Sequence, residues 1–179
     1  MEIQSSRMRA RLGPAAEPVP LLEQNRGIWD QLLIRRGFAA LLRAQSLGEP
    51  AGPYVLQAAI AACHARARSG DETDWAQIAA LYGLLGQLLP TSVVQLNRAV
   101  AVGMAFGPAR GLELADALTS LPELRNYHLL PSVRADFLAK LGRQEESRAE
   151  YTRAASLTRN AAERAVLLER AAACSPGDA

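Results

Sequence analysis

The sequence is short of aromatic residues, lysine, cysteine and long apolar runs, and each shortage narrows what the chain can be. Aromatics make up 5% of its 179 residues, which leaves a core to Ala, Leu and Val. Two cysteines, Cys63 and Cys174, lie far apart without metal-type spacing. That usage suits a reducing cytoplasm rather than a disulfide framework. No apolar run reaches the roughly eighteen residues a membrane span needs, and no signal-peptide pattern opens the sequence. An excess of one charge is missing too: Lys+Arg number 20 against 18 Asp+Glu, a formal net charge of +2. Lys140 is the one lysine among the basic residues. So even a balance is not the footprint of a dedicated nucleic-acid binder. There is no Gly-rich phosphate loop, no Cys/His metal cluster and no Gly-x-Ser-x-Gly elbow. With no acid, base and nucleophile set converging, no enzyme, cofactor or metal is expected.

What is present is helix-forming. Hydrophobic residues make up 49% of the chain, enough to bury a core. Ala and Leu dominate, no segment alternates with period two, and the fold class reads as all-α. Residues 1–20 stand apart, with Arg7, Arg9 and Arg11 forming a basic arm before Gly13-Pro14-Ala15-Ala16-Glu17-Pro18-Val19-Pro20. Three prolines favour extended backbone there, so a linker is expected, followed by one helical domain over 21–179.

About eight helices follow from the punctuation. The first is expected over about 26–46, stopped by Leu47-Gly48-Glu49-Pro50. A second starts at Pro53, where a missing N–H costs nothing, and runs to Gly70. Asp74 with Gln77, Ser92 with Gln95 and Asn160 with Glu163 have capping-box spacing and open three more. Gly107 ends one helix and Pro108 opens the next, reaching about Ser120. Pro131 marks the first turn or a kink of a helix ending at Leu141-Gly142, and another covers about 144–157. The last frays in Ser175-Pro176-Gly177-Asp178. Short connections force sequential helices to pack antiparallel.

Helix pairs of this length predict a right-handed, tetratricopeptide-like solenoid with a unit of roughly 34 residues. The best match runs from Arg134 to Leu157, with Ala135, Leu138 and Gly142 followed by Tyr151, Ala154 and Leu157. A weaker one runs from Leu96 through Gly107 to about Leu118. Such arrays bind peptides or proteins rather than catalyse.

Three pairs of residues are candidate partner contacts. Asn97-Arg98 interrupts the apolar run Val93, Val94, Leu96, Ala99, Val100, Val102. It reads either as a buried amide beside a solvated arginine or as a polar anchor for a partner's backbone. Trp29-Asp30 opens the first helix, where tryptophan serves packing or an interface anchor. Tyr127-His128 precedes Pro131 and either caps a helix or lines a groove. Cys63-His64 is adjacent on one helix, so the side chains diverge by about 100° and cannot act jointly; Cys63 reads as core.

Several strings are more specific. They are Leu21-Leu22-Glu23-Gln24-Asn25-Arg26-Gly27-Ile28-Trp29-Asp30, Gly52-Pro53-Tyr54-Val55-Leu56-Gln57-Ala58-Ala59-Ile60-Ala61-Ala62, Thr73-Asp74-Trp75-Ala76-Gln77-Ile78 and Leu96-Asn97-Arg98-Ala99-Val100-Ala101-Val102. Tyr127-His128 and Asn160-Ala161-Ala162-Glu163-Arg164 belong with them. In this order they resemble the C-terminal tetratricopeptide-like extension of a group of bacterial extracytoplasmic-function (ECF) sigma factors, in the sigma-70 superfamily. The resemblance covers about Leu21 to Arg170, and it departs at Gln24-Asn25, where the family is more acidic, and at Arg36 before Gly37. It implies a cytoplasmic regulatory domain that contacts the parent's sigma modules, RNA polymerase or a dedicated regulator, with no membrane contact. The two promoter-reading modules do not fit into residues 1–20, so this chain itself is not expected to recognise promoter DNA. It is then a piece of a longer factor or a free-standing relative. The alternative is an independent tetratricopeptide-like adaptor that binds a protein or small ligand in its groove.

Overall fold

The protein's structure, a computed structural model, describes residues 2–13 and 19–174. All its regular structure among these residues is α-helical or 3₁₀, without a β-strand. The chain divides into two units, Met1–Pro90 and Thr91–Ala179.

The first unit is built from α1 (Glu2–Ser5), α2 (Gln31–Ser46), α3 (Pro53–Arg66) and α4 (Trp75–Leu88). Asp30 caps α2 by accepting from the N–H groups of Leu32 and Leu33, which satisfies donors that a helix start leaves free. Gly48, at φ 70°, turns the chain away beyond its end. Pro53 begins α3. Asp74 caps α4 through the N–H of Gln77 at 2.8 Å. Helix α1 packs on α2 and α3, α2 packs on α3, and α3 on α4.

Residues 2–13 therefore differ from the expected arm. Ile3 is buried with Leu41 and Ala62, and Ala10 with Trp29 and Ile34. Gly37 makes this possible: a Cβ there would collide with Ile3, standing 3.1 Å from its Cδ1 and 3.3 Å from its backbone N. The expected linker over 14–18 and the fraying end at 175–178 lie outside the described residues.

The second unit contains α5 (Ser92–Phe106), α6 (Pro108–Ala117), α7 (Leu129–Lys140), α8 (Gln144–Leu157) and α9 (Ala161–Ala173). Each packs on its successor in sequence. Helix α5 meets α6 at two glycines, where a Cβ on Gly111 would stand 2.6 Å from the Cα of Gly103. Phe137 of α7 closes over both glycines and packs with Leu112 and Leu138. Between α7 and α8 the contact is again small: Ala135 and Ala154 are fully buried. Ser147, also fully buried, donates its hydroxyl to the Ala135 carbonyl at 2.9 Å. Tyr151 donates to Asp136, and Arg170 of α9 reaches the same carboxylate at 3.3 Å.

Helix limits differ from expectation at several ends. A 3₁₀ turn (Arg26–Ile28) precedes α2, so that helix starts at Gln31. Helix α3 stops at Arg66 rather than Gly70. Thr91, not Ser92, caps α5 through the Val94 N–H. Helix α6 passes into a 3₁₀ turn at Leu118–Ser120. Pro131 falls in the first turn of α7, where a missing N–H is tolerated.

Candidate functional site

In the first unit, the approach to α2 is a chain of local bonds. The Asn25 side chain accepts from the Gly27 N–H at 2.9 Å, and the Trp29 N–H donates to the Arg26 carbonyl at 3.2 Å. The Asp30 N–H then donates to the Ser6 carbonyl at 3.0 Å, tying the start of α2 to the end of α1. Asp30 is exposed, its carboxylate occupied by the cap. Trp29 is 3% exposed, which puts it in the core of this unit and not on its surface.

Two guanidiniums flank that indole. The Cζ atoms of Arg7 and Arg26 lie 5.8 and 5.5 Å from the ring centroid, within cation–π range. Arg26, 8% exposed, donates through one terminal nitrogen to the carbonyls of His64 (2.7 Å) and Ala67 (3.0 Å). Its other terminal nitrogen donates to the Thr73 hydroxyl at 3.0 Å. A cation here completes the carbonyls at the C-terminal end of α3 and offsets the partial negative charge of that helix end. The buried Arg26 Nε and Trp29 Nε1 have no hydrogen-bond partner among the described residues.

The local field is positive. Burial, then the neighbouring Arg11 and Arg26, lowers the pKa of Arg7. Burial lowers that of Arg26, with Glu72 opposing. His64, whose ring meets Trp75 edge-on at 5.3 Å, is pushed down to about 4 by burial and then by Arg26 and Arg7. It is neutral at pH 7. Its neighbour Cys63 donates to the Gln77 side chain at 3.0 Å, and burial raises its thiol pKa. The pair does not form a nucleophile and base. Beside Trp29 opens a cavity of about 270 Å³ lined by Arg26, Trp29, Gln31, Ile34, Arg66 and Arg68 among others.

The other four candidates lie in the second unit. Asn97 and Arg98 are both exposed on α5, and no side-chain hydrogen bond holds either among the described residues. A buried amide tying neighbouring turns is thus not what Asn97 provides. Tyr127 packs against the cluster that contains Leu96 and Ala99, the buried neighbours of Asn97-Arg98. His128 occupies the residue before α7 without a side-chain cap. Its Nε2 lies 3.4 Å from Glu163 Oε2, an oxygen that also accepts from the Thr158 hydroxyl at 2.7 Å. His128 thus links the start of α7 to the first turn of α9.

Among the described residues no group of three or more His, Cys, Asp or Glu is placed to hold a metal. None of their helices is long and apolar enough to cross a membrane. Sequence reasoning missed Arg26, Arg66 and Arg68. Arg26 stood in view between Asn25 and Trp29, but its partners at 64, 67 and 73 are distant in sequence.

Comparison with known proteins gives two matches. The model of a family of unknown function (DUF6596) matches residues 1–45, which crosses from α1 into α2 and includes Arg7, Arg26 and Trp29. An uncharacterized protein of Rhizobium meliloti (strain 1021) is 40% identical over 165 residues, covering 92% of this chain. The chain spans 38% of that relative's length. No solved structure matches.

Proposed function

We propose that this chain is a protein-interaction module, the C-terminal regulatory extension of an ECF RNA polymerase sigma factor. The observation that carries the interaction reading is a recurrence in the second unit. Gly107 and Gly142 follow α5 and α7 at φ 102° and 76°, and each is succeeded by a helix packed back on its predecessor. Two helix pairs with one offset, joined through small residues, are the elements of a tetratricopeptide-like solenoid. The sigma-factor assignment rests on the ordered strings from Leu21 to Arg164. The length of the rhizobial relative beyond the match is where a parent chain would carry promoter-reading modules.

In this reading the extension works in the cytoplasm and acts through protein contacts, without chemistry of its own. Its partners are the parent's sigma modules, RNA polymerase or a regulator. Exposed Asn97 and Arg98 are the contact candidates, because both offer hydrogen-bonding groups free of competing bonds among the described residues. Promoter-dependent transcription by the parent factor, measured with and without this extension, tests the assignment. A change in transcript yield on deletion is expected; unchanged transcription overturns the sigma-factor reading. Co-purification of sigma modules or polymerase with an Asn97→Ala/Arg98→Ala chain then tests the contacts. Retention equal to that of the unsubstituted chain removes these two residues from the interface.

A further inference from the structure

We infer that the cavity beside Trp29 is a binding site for an oxyanion group, a carboxylate or phosphate carried by a ligand with an apolar portion. The inference does not depend on the sigma-factor reading. The lining is rich in donors and has no acidic side chain: Arg26, Arg66 and Arg68 supply charge, Gln31 an amide, and Trp29, Ile34 and Ala65 an apolar floor. Arg26 is nine-tenths buried, and among the described residues it has no carboxylate paired with it and keeps its Nε without a partner. The carboxylate whose field acts on Arg26 is Glu72, and that group accepts the Arg68 backbone N–H at 3.1 Å. Arg7 adds a further cation across the indole.

Two effects oppose an anion here, the Glu72 carboxylate, whose field reaches Arg26, and the negative end of α3. The helix end is worth about half a charge, and Arg26 already answers it by donating to the His64 and Ala67 carbonyls. Arg66, which also lies 5.4 Å over the Phe38 ring, and Arg68 together outnumber the single charge of Glu72, so the net field favours a negative group. Size narrows the class. At about 270 Å³ the cavity falls just below the roughly 300–1,000 Å³ of drug-sized sites. It suits one oxyanion and a few apolar atoms, an acidic side chain or a small organic acid, rather than a nucleotide. Guanidiniums are the side chains best shaped for a planar oxyanion.

The test uses the full chain with Trp75→Phe, which leaves Trp29 as the emitting tryptophan, checked for folding by far-UV circular dichroism. Inorganic phosphate and a short glutamate-containing peptide are titrated at ionic strength held constant with chloride. The glutamine version of the peptide is the control. A saturable change in Trp29 emission is expected, weakened about fivefold by Arg68→Gln, since one partly exposed ion pair contributes up to about 1 kcal/mol. The Arg68 side chain makes no hydrogen bond or ion pair among the described residues, so its replacement spares the fold. Competition between phosphate and peptide supports a site for either source. A response to the peptide alone supports a site for a protein carboxylate. Calorimetric titration of the unsubstituted chain gives a second readout. No response to either probe, an equal response to the glutamine peptide, or no effect of Arg68→Gln overturns the inference.

Discussion

Gly111→Ala separates tight helix packing from generic helicity in the second unit. The added Cβ would stand 2.6 Å from Gly103 Cα and 2.5 and 2.7 Å from Phe137 Cζ and Cε2. Ordinary carbon contacts lie near 3.5–4.0 Å, so α5, α6 and the Phe137 ring must each give way. Overpacking of this kind costs typically 1–3 kcal/mol. The upper end applies, because one of the two obstacles is backbone and cannot change rotamer. Alanine gains about 0.5–1 kcal/mol over glycine within a helix, which leaves a net loss of about 2 kcal/mol. Gly83→Ala in α4 is the matched control, since nothing lies within 4 Å of a Cβ there, and it should gain about 0.5–1 kcal/mol. Urea unfolding followed by far-UV circular dichroism measures both. Adding Phe137→Leu to Gly111→Ala should recover only part of the loss, because the Gly103 backbone remains in the way. Equal effects of the two alanines, or complete recovery with leucine, refutes the close approach of α5 and α6.

Two further outcomes follow from the first unit. His64 has a native pKa of about 4 against about 6.5 when unfolded, so between those values the unfolded chain binds the extra proton. Its contribution to stability is fully present above about pH 6.5 and is lost as pH falls towards 4, on the order of 3 kcal/mol in all. His64→Gln should flatten the slope of urea-unfolding free energy across that window, and an unchanged slope rejects the assignment. Gly37→Ala should displace Ile3 and loosen α1 while α2 persists; faster amide hydrogen exchange at the Ser6 N–H, which bonds the Glu2 carbonyl at 2.9 Å, is the readout, and unchanged exchange there contradicts the packing.

Helix starts were legible because capping is local chemistry. Asp74 and Asn160 bond N–H groups two or three residues ahead, and Pro53 and Pro108 open helices for a reason internal to proline. Helix ends were less legible when their carbonyls are completed from far away. Helix α3 stops short of Gly70 where Arg26 takes the carbonyls of His64 and Ala67, and no local residue announces this. The same distance hides the side chain of Gln77. Its spacing from Asp74 suggests a reach back to the cap, yet it accepts from Cys63 across the interface with α3. The basic arm misled for a related reason. Arg7, Arg9 and Arg11 dominate the composition of residues 1–13, but Ile3 and Ala10 decide their placement through Gly37 and Trp29.

Net charge misleads in the same way, because it sums what folding sorts. A balance of 20 basic and 18 acidic side chains argues against a surface that grips nucleic acid at large. It says nothing about where the cations stand. Folding brings Arg26, Arg66 and Arg68 to one cavity and places Arg7 on the neighbouring indole. In the second unit, by contrast, Arg134 is neutralised in place by Asp116 at 2.7 Å and Glu150 at 2.6 Å. The same residue type thus serves two physical ends in one chain. Paired with acids it fastens α6, α7 and α8 together; gathered around Trp29, where it outnumbers the Glu72 carboxylate whose field reaches Arg26, it leaves an excess of positive charge.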